Sequence, residues 1–164
     1  MIETPAARRA DLPRPVGIGE ALVDVAGSTL VAYGLGSCVG LAAWDPVTRI
    51  GGLAHFMLPS GARDGDPAKY VDTGLPWFLA ALSDAGASPS RMHLKAAGGA
   101  AMFGGMRGSL EIGRRNIVAL ETALAAAGFQ LTAQDLGGAV GRTIVIDLTS
   151  GRFSVRTVHG TSTL

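Results

Sequence analysis

Apolar residues are grouped in short runs along most of the chain, and their spacing predicts the elements that they form. Eight runs contain alternating or clustered apolar residues and are bounded by Gly, Pro, Asp or Ser, which is typical of short strands. The predicted strands are 21–25, 30–33, 39–44, 50–58, 92–97, 130–135, 143–148 and 153–158. We expect the first two to pair as one hairpin across 26–28, and the next two as another across the turn at Asp45-Pro46.

Two longer segments carry apolar residues at helical spacing. One covers 70–85 and is followed by Gly86, and the other runs from about residue 112 to Gly128. The apolar face of the second segment includes a polar residue, Asn116, beside Ile117 and Leu120.

The order of these elements is strands, helix, strand, helix, strands, without the regular alternation of a doubly wound fold. The fold class expected is therefore an α/β (α+β) layered sandwich, in which mixed β-sheets are flanked by two principal helices. Residues 1–15 have the Pro- and Arg-rich composition of a flexible N-terminal tail, and 16–164 are expected to form a single domain.

Composition excludes several classes of function. The net charge is +1 and no basic run is interleaved with aromatic residues, so a nucleic-acid binder is disfavoured. Apolar runs fall short of the roughly 20 residues that span a bilayer, and the N-terminus has no apolar leader. We expect a cytoplasmic protein without membrane insertion, whose single cysteine is a reduced thiol.

That cysteine, Cys38, and one of the three histidines, His55, are the candidate chemistry. Cys38 follows a Gly-rich turn at the start of a predicted strand, and His55 lies near the end of the next strand. The hairpin should bring them together as a nucleophile and its base, although an unknown turn register leaves open whether they share a face. In the alternative interpretation Cys38 is a small buried hydrophobe and His55 a core histidine.

Other sites have weaker sequence support. His93 and His159 are alternative partners for Cys38, and Ser37 lacks the surroundings of a serine nucleophile. The scattered histidines give no metal-ligand spacing, and the Gly-rich segment at 98–105 lacks the context of a nucleotide loop. The turn at Gly36 and Ser37 has backbone N–H groups that can point at a developing oxyanion.

The runs GLGSCVGLAAWDP, which contains Cys38, and GGLAHFMLP, which contains His55, resemble the CheD family of chemoreceptor glutamine deamidases. The resemblance rests on GLGSCVGLAAWDP, on GGLAHFMLP with its His 17 residues after the Cys, and on further segments in the same order. These segments are 17–20, 69–73, 95–100, 112–116 and 135–138, so that the resemblance spans about 16–158.

This resemblance implies hydrolysis of glutamine side chains on methyl-accepting chemotaxis proteins to glutamate, with Cys38 and His55 as catalytic residues and without a cofactor or metal. It also implies a fold similar to the cytotoxic necrotizing factor type cysteine deamidases, and a CheC-type phosphatase as a second partner. The segment 98–105, with Gly98 and Gly99, and the loop 60–68 are the expected receptor contacts, because glycine permits close backbone approach; ordinary turns are the alternative.

One departure affects the expected triad. CheD enzymes commonly carry a Thr six residues before the Cys, where this chain has Ala32. The group that orients His55 is then open, and a backbone carbonyl, including that of Ala32, is a candidate because tautomer control needs only an acceptor. A low-activity adaptor that binds a receptor or a CheC-type phosphatase is the alternative function.

Overall fold

The computed structural model describes residues 12–62, 65–102 and 107–164. Their strands are β1 (Arg14–Pro15), β2 (Ala21–Asp24), β3 (Thr29–Leu35), β4 (Val39–Trp44), β5 (Gly51–Phe56), β6 (His93–Gly98), β7 (Leu131–Leu136), β8 (Arg142–Asp147), β9 (Arg152–Thr157) and β10 (Gly160–Thr163). The helices are α1 (Val71–Ala85) and α2 (Arg107–Ala126), and a 3₁₀ turn at Pro67–Lys69 precedes α1.

The strands form two mixed sheets of five strands each. The central sheet has the order β2-β5-β4-β6-β7, and the outer sheet has the order β1-β3-β8-β9-β10. Each contains one parallel pair, β6 with β7 and β1 with β3, and its other pairs are antiparallel. With its two helices, this arrangement confirms the predicted α+β sandwich.

Both faces of the central sheet are covered, which explains why β4 and β5 consist of apolar residues and glycine almost throughout. Alternate residues of β4, beginning with Val39, join a core with the two helices. The intervening residues, such as Ala42, join a second core with the outer sheet, to which Ile144 and Phe153 contribute. The order of layers is thus helices, central sheet, outer sheet.

One predicted hairpin is confirmed and the other is wrong. β4 and β5 pair as expected, from Val39 opposite Phe56 to Trp44 opposite Gly51. β2 and β3 do not pair with each other, because β2 joins β5 in the central sheet and β3 joins β1 and β8 in the outer sheet. The turn between them is held by the β8–β9 connection, where Gly27 N–H donates to Thr149 Oγ1 over 2.9 Å, so the chain changes layers there.

Other boundaries differ modestly from the prediction. Gly86 ends α1 with φ 112° and donates to the carbonyls of the last turn, as expected of a C-terminal glycine. α2 begins at Arg107, ahead of the predicted residue 112, and β1 and β10 were not predicted. Of the predicted tail, residues 1–11 lie outside the described residues, whereas Arg14 and Pro15 already pair with β3. Neither described helix is long and apolar enough to cross a membrane.

Candidate active site

Cys38 follows a tight connection between the outer and central sheets, and the carbonyl groups of this turn are all held. The chain leaves β3 at Leu35 and enters β4 at Val39. The carbonyls of Gly36, Ser37 and Cys38 accept hydrogen bonds from Ala100 N–H (2.8 Å), Asn116 Nδ2 (2.8 Å) and Gly99 N–H (2.8 Å), respectively. The turn is therefore fixed from one side by the segment after β6 and by α2.

The N–H groups of the same turn are directed elsewhere. Because a trans peptide is planar, each N–H points opposite to the preceding carbonyl. Within the described ranges, the N–H groups of Gly36 and Ser37 have no acceptor, and that of Cys38 lies beside its own sulfur. Because the Gly36 and Ser37 carbonyls are held, the N–H groups of Ser37 and Cys38 are fixed donors, which can stabilise negative charge that develops next to Cys38.

His55 shares a face of the central sheet with Cys38. It lies directly opposite Gly40, two residues after Cys38 on the neighbouring strand. Residues two apart on a strand point to the same side, so Cys38 and His55 are diagonal neighbours, which lie about 7–8 Å apart at the backbone and within reach of long side chains. A Cβ at Gly40 would lie 2.1 Å from Ile144 Cδ1, which shows that this face is turned to the outer sheet. The register thus answers the question that the sequence left open, which is whether Cys38 and His55 share a face of the sheet.

A backbone carbonyl fixes the tautomer of His55. The Nδ1–H of His55 donates to the Val16 carbonyl over 3.2 Å, and Nε2 has no partner among the residues that the structure describes. With the proton on Nδ1, Nε2 carries a free lone pair and can act as a base. Val16 itself is fixed to the outer sheet, since its N–H donates to the Val31 carbonyl over 2.8 Å.

The carbonyl that orients His55 is therefore that of Val16, and the suggestion of Ala32 is corrected. Ala32 is fully buried in the core between the sheets, opposite Ile144 of β8. Sequence reasoning missed Val16 because its contribution is a carbonyl group, which every residue has. The sequence marks Val16 only by its position before residues 17–20. In the structure these residues form a turn in which Glu20 N–H donates to Gly17 O, and His55 N–H donates to Glu20 O.

Burial favours the uncharged forms of both groups. Desolvation raises the pKa of the Cys38 thiol above its ordinary value, and the backbone N–H beside the sulfur opposes this only in part. Desolvation also lowers the pKa of His55, against smaller opposing effects of the Val16 carbonyl and the Glu20 carboxylate. Burial therefore favours a thiol beside a neutral imidazole, and His55 Nε2 accepts no hydrogen bond from the Cys38 thiol. Such a pair suits proton transfer during attack instead of a preformed thiolate.

Gly98 and Gly99 support the turn from behind, so they are not the surface contacts that the sequence suggested. Both are buried, with φ of 119° and 68°. A Cβ at Gly98 would lie 2.3 Å from the Cys38 carbonyl oxygen, which leaves space only for glycine. In the rest of the segment 98–105, residues 103–105 lie outside the described residues, as do residues 63 and 64 of the loop 60–68.

Asn116 is a site residue that was not selected from the sequence. It is fully buried on α2, and its Nδ2 donates to the carbonyls of Ser37 (2.8 Å) and Met57 (3.0 Å). These carbonyls belong to the residue before Cys38 and the second residue after His55. The available signal was a polar side chain on the apolar face of a helix.

The other histidines lie away from Cys38. His93 pairs with Trp44 at the opposite end of β4 and packs edge-on against its ring, with 6.5 Å between centroids. His159 is exposed after β9. Within the described ranges, no three His, Cys, Asp or Glu side chains form a group that could hold a metal ion.

Comparison with known proteins places this chain in a family. The family model for CheD, described as chemotactic sensory transduction, matches residues 57–157. A probable chemoreceptor glutamine deamidase CheD from Symbiobacterium thermophilum is 49% identical over 150 residues, which cover 87% of this chain and 91% of the relative. Proteins with the same description from Pyrococcus abyssi (45% identical, 88% and 91% covered) and Desulforamulus reducens (40%, 87% and 89%) also match. Each match covers at least 87% of the 164 residues. It therefore leaves out too few residues to begin after Cys38 or to end before His55, and the matched span includes both.

Proposed function

The chain belongs to the CheD family, and from this premise we propose that it hydrolyses glutamine side-chain amides of chemoreceptors to glutamate, with Cys38 as nucleophile and His55 as base. Methyl-accepting chemotaxis proteins are the proposed substrates, the cytoplasm is the proposed location of the enzyme, and residues 16–164 are the proposed catalytic domain. A single arrangement carries the mechanism: Cys38 and His55 share one face of the central sheet, while the Val16 carbonyl leaves His55 Nε2 unprotonated.

The first half of the reaction forms a thioester. The Cys38 sulfur attacks the carbonyl carbon of the glutamine side chain as the thiol proton passes to His55 Nε2. The carbonyl electron pair moves onto oxygen, and the N–H groups of the Gly36, Ser37 and Cys38 turn stabilise this oxyanion. When the tetrahedral intermediate collapses, the C–N bond breaks and the imidazolium protonates the leaving nitrogen, which departs as ammonia.

The second half regenerates the thiol. Water attacks the thioester carbonyl while His55 Nε2 accepts a proton from it, and the same N–H groups stabilise the second oxyanion. Collapse breaks the C–S bond and the imidazolium returns its proton to sulfur, so that the product forms as a carboxylic acid, which loses its proton to solvent and leaves as the glutamate carboxylate. No cofactor enters either half. The lowered pKa of His55 supports this sequence, because a neutral imidazole is the form that accepts the thiol proton.

Receptor fragments incubated in ¹⁸O-labelled water test the proposal. Mass spectrometry should show conversion of glutamine to glutamate with one labelled oxygen, together with release of ammonia. Cys38→Ala should abolish both, and His55→Gln, which keeps a polar side chain of similar size, should slow them by about 10²–10⁴-fold. Turnover by Cys38→Ala at the wild-type rate would refute the mechanism.

The same experiment separates the enzyme from an adaptor. A wild-type protein that binds receptor fragments without converting them would fit the adaptor hypothesis instead. The predicted CheC-type phosphatase is a proposed partner, to be tested by co-purification with the full chain.

A further inference from the structure

Asn116 lies where the two catalytic segments meet, although it touches neither the Cys38 sulfur nor the His55 ring through any hydrogen bond in the described ranges. Its one amide nitrogen donates both bonds, over 2.8 Å to Ser37 O and over 3.0 Å to Met57 O. Ser37 precedes the nucleophile, and Met57 follows the strand that carries the base. The rest of the α2 face that packs on the central sheet is apolar, so packing alone does not explain why a polar residue is buried at this position.

The bond to Ser37 also sets the direction of a proposed oxyanion donor. The Ser37 carbonyl and the Cys38 N–H belong to the same planar peptide unit and point in opposite directions. By holding that carbonyl toward α2, Asn116 directs the Cys38 N–H toward the side of the sulfur. Loss of the bond frees this peptide unit to rotate, and with it the donor.

The helix is brought close enough for these bonds by a glycine. Gly113 lies one turn before Asn116, and a Cβ there would be 2.7 Å from Gly99 O and 2.8 Å from Ala100 O. Only a glycine permits α2 to contact that backbone, whose N–H groups in turn hold the carbonyls of Gly36 and Cys38. Asn116 is thus delivered to a fixed position and is not a surface side chain that happens to reach inward.

We propose that Asn116 is a positioning residue for the deamidation reaction: it ties the Cys38 turn to the end of the His55 strand and fixes both the sulfur-to-imidazole geometry and the direction of the Cys38 N–H. The inference rests on the proposed function, but its geometric part can be tested without a receptor. Asn116 acts through the backbone and makes no contact with substrate.

Asn116→Asp and Asn116→Leu test the proposal, because both keep the size of the side chain and remove its donor. Thr132→Val is the matched control, since it deletes another bond from a side chain to a backbone carbonyl, Thr132 Oγ1 to Leu94 O at 3.0 Å, at the far end of the central sheet. Thermal unfolding identifies conditions in which every variant is folded.

The expected results separate positioning from general destabilisation. With receptor fragments, both Asn116 variants should lose about 10-fold or more in kcat with little change in KM, as expected when misplacement affects the reacting groups. Thr132→Val should stay within about twofold of wild type. For Asn116→Asp, the deficit relative to wild type at the same pH should shrink on acidification, because a protonated carboxyl can again donate one bond, whereas Asn116→Leu should show no recovery.

Alkylation of Cys38 by iodoacetamide gives the readout without substrate. The alkylation rate of His55→Gln is the reference for a thiol without its base. The alkylation rates of the Asn116 variants should fall toward this value, whereas Thr132→Val should keep the wild-type rate. A folded Asn116→Leu protein with wild-type kcat, or with a wild-type alkylation rate, would overturn the proposal. Absence of ammonia release by the wild type would instead contradict the deamidase proposal, and the alkylation series would still decide the role of Asn116.

Discussion

Gly40→Ala is the substitution that most directly tests the geometry of the site. Gly40 lies opposite His55 and two residues from Cys38, and an added Cβ would lie 2.1 Å from Ile144 Cδ1 and 3.1 Å from Leu35 Cδ2. Carbon atoms in good contact are about 3.5–4.0 Å apart, so Ile144 or β4 must move. Overpacking of this kind costs about 1–3 kcal/mol, and the size of the overlap places the expected loss in the upper half of that range.

A second substitution identifies the atom responsible. Ile144→Val removes Cδ1 and alone should cost about 1 kcal/mol. In the Gly40→Ala background the same deletion relieves the overlap, so the double variant should be more stable than the sum of the single effects by about 1–2 kcal/mol. Rescue should be incomplete because Leu35 Cδ2 stays close to the new methyl group. Ile146→Val is the matched control, since Ile146 is buried in the same core, two residues along β8.

Urea unfolding followed by circular dichroism measures these free energies. The pair of positions 40 and 144 should show coupling, whereas positions 40 and 146 should be additive within about 0.5 kcal/mol. Additive effects of Gly40→Ala and Ile144→Val would mean that Gly40 does not face the outer sheet. The shared face of Cys38 and His55, which follows from the same register, would then be refuted as well.

Three further outcomes follow from the same contacts. The kcat/KM for receptor fragments should rise with pH and reach half of its plateau below pH 6.5. The reason is that burial lowers the pKa of His55 below this ordinary value, and only the neutral imidazole accepts the thiol proton. A midpoint above pH 6.5 would contradict the role of His55 as the base. Gly98→Ala should cost at least about 2 kcal/mol in unfolding free energy and reduce kcat, since the residue has φ 119° and its Cβ would collide with the Cys38 carbonyl. Asp45→Asn should lower the free energy of unfolding by about 1–2 kcal/mol and leave kcat of the folded protein unchanged, because the buried Asp45 carboxylate accepts bonds from Arg91 (2.7 and 3.0 Å) and Ser88 N–H (2.8 Å) at the end of β4 away from Cys38, while solvent screens the partly exposed Arg91; equal denaturation midpoints would count against it.

Local signals in the sequence predicted local structure well. The hairpin of β4 and β5 is marked by two apolar runs around Asp45-Pro46, and it brings Cys38 and His55 onto neighbouring strands as predicted. The first predicted hairpin was wrong because β2 and β3 each pair with strands distant in sequence. An apolar strand pattern shows that a segment is buried in a sheet but does not specify which sheet, since burial in either core satisfies it.

The same limit applies to the site. Cys38 and His55 could be proposed from the sequence because thiol and imidazole side chains are able to do this chemistry, and Gly98 could be predicted as a place of close backbone approach. What it approaches is the carbonyl of Cys38, a backbone atom that no pattern identifies. Val16 contributes to the site in the same way, through its carbonyl alone.

The position of Val16 bears on the missing hydroxyl at Ala32. The Val16 N–H is bonded to Val31, the residue before Ala32 on β3, so the same part of the outer sheet still positions the acceptor for His55. A carbonyl fixes the tautomer as well as a hydroxyl does, because both accept the Nδ1 proton. It carries no net charge, however, and therefore stabilises the imidazolium less than a carboxylate would, so that desolvation by burial outweighs it and the pKa of His55 is lowered. Ala32 is thus compatible with an active enzyme whose histidine rests neutral and takes the thiol proton only as the substrate is attacked.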